Sequence, residues 1–302
     1  MSSLTTSEII QNAWKAGIVV PAFNIPHLPV MKPVVEALRE TDSFALIQVA
    51  RPEWMKFEAK SLRAVREEYE KWFDRRYTRL HLDHVPVLDE DYVRVDYEAL
   101  LTEAIDLGYE SLMVDGSRLP LDENIESTKR AVELAKKAGL PIEAELGAVL
   151  GHEAGPLPPY DELFASGQGF TDPDQAERFV VETGADWLSV AIGNIHGAIS
   201  GAAKSQKKLT ARLNIEHLQS IGGRTHVPLV LHGGTGIGKS YLLEAFQNGI
   251  AKINIGTAIR QPYERSLEES MEKAQQSVFD TTVDILTNGL EIAGQSKTIN
   301  PD

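Results

Sequence analysis

The chain has 302 residues, 42% hydrophobic and 25% charged, proportions of an ordinary globular protein long enough to bury a large core. Its 30 basic and 44 acidic side chains leave a formal charge of −14, which sets it against nucleic acid and anionic membranes; an anionic substrate would need a local positive site. Cysteine is absent, which excludes disulfides and thiolate ligands, suits a reducing compartment such as the cytoplasm, and leaves any transition metal to His, Asp or Glu. The start, Met1-Ser2-Ser3-Leu4-Thr5-Thr6-Ser7-Glu8, has no basic region ahead of an apolar core, so no signal peptide is expected. No apolar run approaches the roughly 20 residues of a membrane span.

In chain order, residues 6–16 read as a helix capped by Thr6 or Ser7 and stopped by Gly17. Residues 18–23 form a strand candidate ending in Asn24, and 30–40 have helical spacing. A second apolar run, 44–50, precedes a charged amphipathic helix expected over 56–73. The run Thr78-Arg79-Leu80-His81-Leu82 reads as a strand that stops at Asp83-His84, before Val85-Pro86-Val87. Strand side chains alternate faces, so His81 and Asp83 share one face and His84 cannot join them on a regular strand. A longer connection over 85–95 leads to a helix over 97–107, a strand over 111–114 ending in Asp115-Gly116-Ser117, and a helix over 124–138. The strand over 141–146 is unusual for its two glutamates, Glu143 and Glu145.

The Gly- and Pro-rich stretch 147–169 is too long for an ordinary connector and reads as a lid. A helix over 172–184 follows, then a strand over 187–192 that ends in Gly193-Asn194-Ile195-His196-Gly197, and a basic loop over 200–208. Next come a helix over 214–221, a strand over 227–231 ending in His232-Gly233-Gly234-Thr235-Gly236, and a helix over 241–248. The last strand, 250–253, ends in Asn254-Ile255-Gly256-Thr257, and a long charged helical tail covers 263–290.

Apolar runs thus alternate with amphipathic helices about eight times, the pattern of a (β/α)8 TIM barrel rather than an open sheet. One domain over residues 1–302 is expected, with additional C-terminal helices able to pack on a neighbouring chain. Polar residues end nearly every strand: Asn24, Asp83, His84, Asp115, Glu145, His196, His232 and Asn254. Barrels of this kind carry their sites at those ends. Any one histidine there reads as a hydrogen-bonded strand end. Together His84, His196 and His232 can converge on one Zn²⁺ and leave a coordination position for substrate. The glycine turns at 233–236 and 254–257 suit an anion, and phosphate sites in barrels commonly follow the last two strands. Gly233 to Ser240 matches a nucleotide-loop pattern literally, but without a convincing partner motif.

These segments resemble the class II, metal-dependent ketose-bisphosphate aldolases of the fructose/tagatose type. The resemblance lies in Ala22-Phe23-Asn24, Leu82-Asp83-His84, Val114-Asp115-Gly116-Ser117, Glu143-Ala144-Glu145-Leu146-Gly147, Ala191-Ile192-Gly193 with His196-Gly197, Leu231-His232-Gly233, and Asn254-Ile255-Gly256-Thr257. They occur in the family's order over most of residues 18–260. The resemblance implies one Zn²⁺ per subunit on His84, His196 and His232, with Asp115 and Glu145 available to a second divalent or monovalent cation. It implies that Asp83 transfers the proton at the aldol hydroxyl and Glu153 the proton on the dihydroxyacetone phosphate carbon. Asn24, Gly197, Gly233, Gly234, Thr235, Asn254, Ile255, Gly256 and Thr257 would bind the substrate and its phosphate. A small sugar phosphate is the implied partner, with no nucleic acid or membrane, in a cytoplasmic homo-oligomer, dimer or tetramer. Gly256, in place of an aspartate, leans toward the tagatose-type branch.

The chain departs from the family at Ala50-Arg51, where a Ser or Thr usually helps bind phosphate; Arg51 would compensate with its charge. Ser296-Lys297 at best echoes the family's basic C-terminal pattern. The chemistry is consistent without the family: carbon–carbon cleavage beside a ketone needs a Lewis acid and a carboxylate to take the hydroxyl proton. No Schiff-base lysine is required. A metal-dependent hydrolase would normally show a His-x-His pair on an early strand, and none is present. A metal-binding barrel without turnover is the other alternative.

Overall fold

The computed structural model describes residues 4–147, 159–194 and 211–301. Glu153, His196 and Gly197 lie outside the described residues, as do the loop at 200–208 and residues 148–158 of the expected lid. Eight parallel strands close into a barrel in sequence order. They are β1 (Val20–Asn24), β2 (Ala45–Ala50), β3 (Thr78–Pro86), β4 (Ser111–Asp115), β5 (Ile142–Leu146), β6 (Trp187–Val190), β7 (Leu229–Leu231) and β8 (Ile250–Ile255). Helices lie between successive strands, so the expected TIM barrel is borne out. Among the described residues no helix is long and apolar enough to cross a membrane.

Alternation along each strand divides two cores. Phe23, Ile47, Val49, Leu112, Val114, Leu188 and Leu231 pack outward with the helices. Val20, Leu46, Trp187 and Val230 belong to a separate cluster with Ile9, Ile10 and Ala13 of the helix Thr6–Ala16, which closes the barrel at the strands' N-terminal ends. Further along the strands the buried residues on the inward face turn polar: Gln48, His81, Glu143, Ser189 and Lys252. The apolar plug and the polar interior therefore occupy opposite ends.

Several boundaries differ from the expectations. Thr5, not Thr6 or Ser7, caps the first helix, because its hydroxyl accepts Glu8 N–H while Glu8 reaches back to Thr5 N–H. The helix expected over 56–73 is two helices, Arg51–Lys56 and Leu62–Trp72. Lys60 is left-handed at φ 69°, and Ser61 then accepts Ala64 N–H, so a new first turn is satisfied locally. The expected lid contains a helix, Tyr160–Ser166, tied to the end of β6 by Tyr160 Oη, which donates to Gly193 O at 3.0 Å. The helical tail begins at once after β8 as Thr257–Leu267 and restarts at Met271–Asp284, capped by Ser270.

This second tail helix packs on Met31–Glu40 of its own barrel, and Gln275 Nε2 donates to Pro29 O. The short helix Ser296–Ile299 returns to the first helix, where Asn12 Nδ2 donates to Ile299 O and Ile299 joins the apolar plug. Lys297 therefore sits at the end of the barrel remote from the strand C-termini and cannot serve a phosphate there.

Ile10 is fully buried in the plug. Ile10→Ala should lower stability by about 2–5 kcal/mol, read by urea unfolding; a loss under about 1 kcal/mol would mean that the bottom layer closes over the gap.

Candidate active site

β3 does not stop at His84. Leu82 pairs with Leu112 and Val85 with Val114, so Asp83 and His84 together stand opposite Met113 alone. This is a bulge, and His84 takes its left-handed residue at φ 45°. Leu82 and Val85, three positions apart, both pack outward. Parity is broken between them, and Asp83 and His84 both reach the interior, which a regular strand forbids.

His84 Nδ1 lies 3.2 Å from Asp115 Oδ2, and its Nε2 lies 2.9 Å from His232 Nδ1. Glu145 Oε2 is 3.3 Å from the same His232 nitrogen and 3.8 Å from His84 Nε2. Ligand atoms of His84, Glu145 and His232 all lie within 4.8 Å of one another. Each imidazole has a carboxylate on its other nitrogen: Asp115 for His84, and Glu143 Oε1 at 2.8 Å for His232 Nε2. Such partners fix ring orientation and leave the facing nitrogens for a metal. Asp115 is itself held by Ser117, whose N–H and hydroxyl both donate to Oδ1. Glu145 thus joins the histidine group, and Asp115 stands behind it.

The charges also fit a cation. Asp83, Asp115, Glu143 and Glu145 are all buried, against one buried ammonium among the described residues, that of Lys252. Burial and the charge of Asp115 push the Glu145 carboxyl up to about 8. Burial disfavours a charged His84, but Asp115 and Glu145 outweigh it and push the imidazole up to about 10. Without an ion, protons do the neutralising. A divalent cation on these imidazoles and Glu145 would replace them.

Asp83 is surrounded by donors. Asn24 Nδ2 and Gln48 Nε2 each donate to Oδ2 at 3.1 Å, and Asn254 Nδ2 donates to Oδ1 at 2.9 Å. Burial opposes its charge, but Lys252 and the imidazoles outweigh burial and hold the carboxyl below its ordinary range. Lys252 Nζ reaches Asn254 Oδ1 at 2.6 Å and Glu143 Oε2 at 2.8 Å. It thereby turns the Asn254 amide so that its NH₂ faces Asp83, and it neutralises the glutamate that orients His232. Sequence reasoning missed Gln48, Glu143 and Lys252. The available signal was a polar residue two positions before a polar strand end, Glu143 with Glu145 and Lys252 with Asn254; Gln48 was a lone polar residue in an apolar run.

The two glycine turns lie side by side, with Gly234 N–H donating to Asn254 O at 3.3 Å. Added bulk at Gly234 would meet Ile253 Cδ1 at 2.7 Å, so only glycine fits this approach. The helix Thr257–Leu267 starts directly after Gly256 and aims its positive end at the turn. Lys239 of the literal nucleotide-loop match pairs with Glu291 at 2.5 Å at the surface. At the β2 rim, Arg51 lies 3.7 Å from Asp89, and Ala50 N–H donates to Glu53 Oε2 at 2.5 Å.

With this geometry in hand, the comparisons are consistent. Residues 4–295 match the model of the family described as fructose-bisphosphate aldolase class-II. A fructose-bisphosphate aldolase of Staphylococcus aureus is 32% identical over 260 residues, 85% of this chain and 82% of that protein. One from Staphylococcus epidermidis is 31% identical over 260 residues, with the same 85% and 82% coverage. The YdjI aldolase of Escherichia coli K12 superposes with a TM-score of 0.74 at 25% identity, over 97% of this chain and 99% of that one. A fructose-bisphosphate aldolase of Campylobacter jejuni shares the fold at a TM-score of 0.69 and 17% identity, over 98% of this chain and 96% of that one.

His81 supplies a pH test. Burial, aided by the charge of Lys252, lowers its imidazole from 6.5 to about 3. Between those values the unfolded chain binds a proton that the folded chain refuses, so stability falls as pH drops through that window. From about pH 7 to about pH 5 the wild type should lose about 2 kcal/mol more than His81→Gln in urea unfolding of metal-free protein. Parallel pH curves for the two proteins would refute a neutral buried His81.

Proposed function

The chain belongs to the class II fructose-bisphosphate aldolase family, and on that premise we propose that it cleaves and forms a ketose of the fructose or tagatose type phosphorylated at its dihydroxyacetone end. It is an aldehyde-lyase of a metal-dependent family. The hydrolase and the barrel without turnover find no support in the matches. One observation carries the reading: a His84–Glu145–His232 ligand group adjoins, in sequence, a buried carboxylate held by three amide donors.

We assign Zn²⁺ as the ion, one per subunit, with His84, His232 and His196 as ligands and Glu145 as an alternative. Asp115 with Glu145 leaves a place for a second cation. When bound, the ion steadies the negative charge that grows on the ketone oxygen as the carbon–carbon bond breaks. Asp83, kept ionised by its donors, takes the proton from the hydroxyl on the carbon that becomes the aldehyde, and returns it in the reverse direction. Glu153 exchanges the proton on the dihydroxyacetone phosphate carbon. Backbone N–H groups of Gly197, Gly233, Thr235, Ile255, Gly256 and Thr257 hold the phosphate, with the helix after β8 behind them, and Gly234 lines the same turn with its N–H given to Asn254 O. Asn24 and Asn254 position Asp83 as well as substrate.

A cytoplasmic homo-oligomer, dimer or tetramer, is part of the proposal. Exposed Met55, Tyr92 and Val93 support it, because they flank the Lys56–Glu90 ion pair that joins their two segments. Light scattering that returned a monomer would remove it.

His232→Ala should lose bound zinc by elemental analysis and lose activity with it; full zinc content would remove His232 from the ligand set. Asp83→Asn should keep its zinc and lose about 10² to 10⁴ in kcat. Near-normal turnover in that variant would exclude Asp83 as the proton carrier.

A further inference from the structure

Glu53 is a buried carboxyl at the barrel mouth that the proposed chemistry does not use; it is 9% exposed. It stands on the first turn of the helix Arg51–Lys56, with Oε2 on Ala50 N–H at 2.5 Å. Asn24, which donates to Asp83, is its second polar neighbour. Ala50 is paired across β2 and β3 with Asp83 itself. A substrate whose hydroxyl proton goes to Asp83 therefore brings the next carbons of its aldehyde half toward Ala50 and Glu53.

This rim has no spare positive charge among the residues just described. Arg51 pairs with Asp89 at 3.7 Å and Lys56 with Glu90 at 2.9 Å. Ala50 offers no side-chain donor, and its N–H is already bonded to Glu53. Burial first, and then the charge of Asp83, pushes the Glu53 carboxyl up to about 8, so this position resists even the ionisation of its own side chain. A phosphate dianion arriving there would meet the same burial and the charge of Asp83 behind it. A sugar hydroxyl would instead donate to or accept from the same carboxyl.

We infer that Glu53 determines the aldehyde half of the substrate: the β2 rim takes an uncharged, hydroxylated chain end and rejects a phosphate monoester. The natural ketose then carries its phosphate at the dihydroxyacetone end alone. This inference rests on the aldolase reading above.

The test is condensation of dihydroxyacetone phosphate by the zinc-loaded full chain with D-glyceraldehyde or with D-glyceraldehyde 3-phosphate. The wild type should favour the unphosphorylated aldehyde in kcat/KM by about tenfold or more. Glu53→Gln, which removes the ionisable group and presents an amide donor of the same shape, should shift that ratio toward the phosphorylated aldehyde by about tenfold. Ala50→Ser in the same background should shift it further. A wild type that prefers the phosphorylated aldehyde overturns the inference, even where the variants fail to fold. So does a ratio unmoved by Glu53→Gln. Exchange of the carbon-bound hydrogen of dihydroxyacetone phosphate by the wild type in D₂O, with no aldehyde present, separates the two levels. Exchange without the expected preference defeats the specificity inference alone. Absence of exchange defeats the aldolase reading and the inference with it.

Discussion

Asp83 and His84 share one partner residue, Met113, across the β3–β4 ladder, and the chemistry of the mouth depends on that mismatch. A regular strand would send one of the two out among the helices. The left-handed backbone at His84 is disfavoured by about 1–3 kcal/mol, though histidine tolerates it better than most side chains. The pairing of Val85 and Pro86 beyond the bulge, with the outward packing of Leu82 and Val85, holds it in place. In return, a carboxylate and an imidazole leave consecutive backbone positions toward the same interior. The carboxylate held by amide donors and the imidazole of the ligand group thus come from one strand.

Around that pair the interior is organised by charge. Among the described residues, Asp83, Asp115, Glu143 and Glu145, with Glu53 at the rim, meet one buried lysine, Lys252, and its closest pair is with Glu143. Such a pair contributes little net stability, but removing one partner is expensive, about 3–5 kcal/mol, because the other stays buried and unpaired. Lys252 links the two halves of the site. Through Asn254 it sets which way an amide faces Asp83, and through Glu143 it sets which nitrogen of His232 remains for a ligand. Its part in the site is electrostatic and geometric: it has no need to react with the substrate.

The two ends of the barrel divide the labour. The lower end is an apolar plug of Ile9, Ile10, Trp187 and Ile299, sealed by the first and last helices. The upper end holds nearly every buried carboxylate and leaves Ala50, Arg51 and Glu53 at the rim. The departures from the family pattern at Ala50-Arg51 therefore lie at the rim, apart from the His84–Glu145–His232 group and from the donors that hold Asp83.

The sequence by itself determined the barrel, because continuous apolar strands buried on both faces alternate with amphipathic helices, and both periods are local. It also determined Asp83, His84, His232 and the two glycine turns as candidates, since polar groups that end apolar runs stand out without any coordinates. Tertiary structure alone decided that His84 turns inward, that Glu145 joins it while Asp115 stands behind, and that Gln48, Glu143 and Lys252 belong to the site at all. It likewise decided that Lys297 lies at the wrong end of the barrel and that Glu53 stands at the rim. The reason is physical: a bulge and the register between strands are properties of paired chains, and the partners of a buried charge come from strands far apart in sequence.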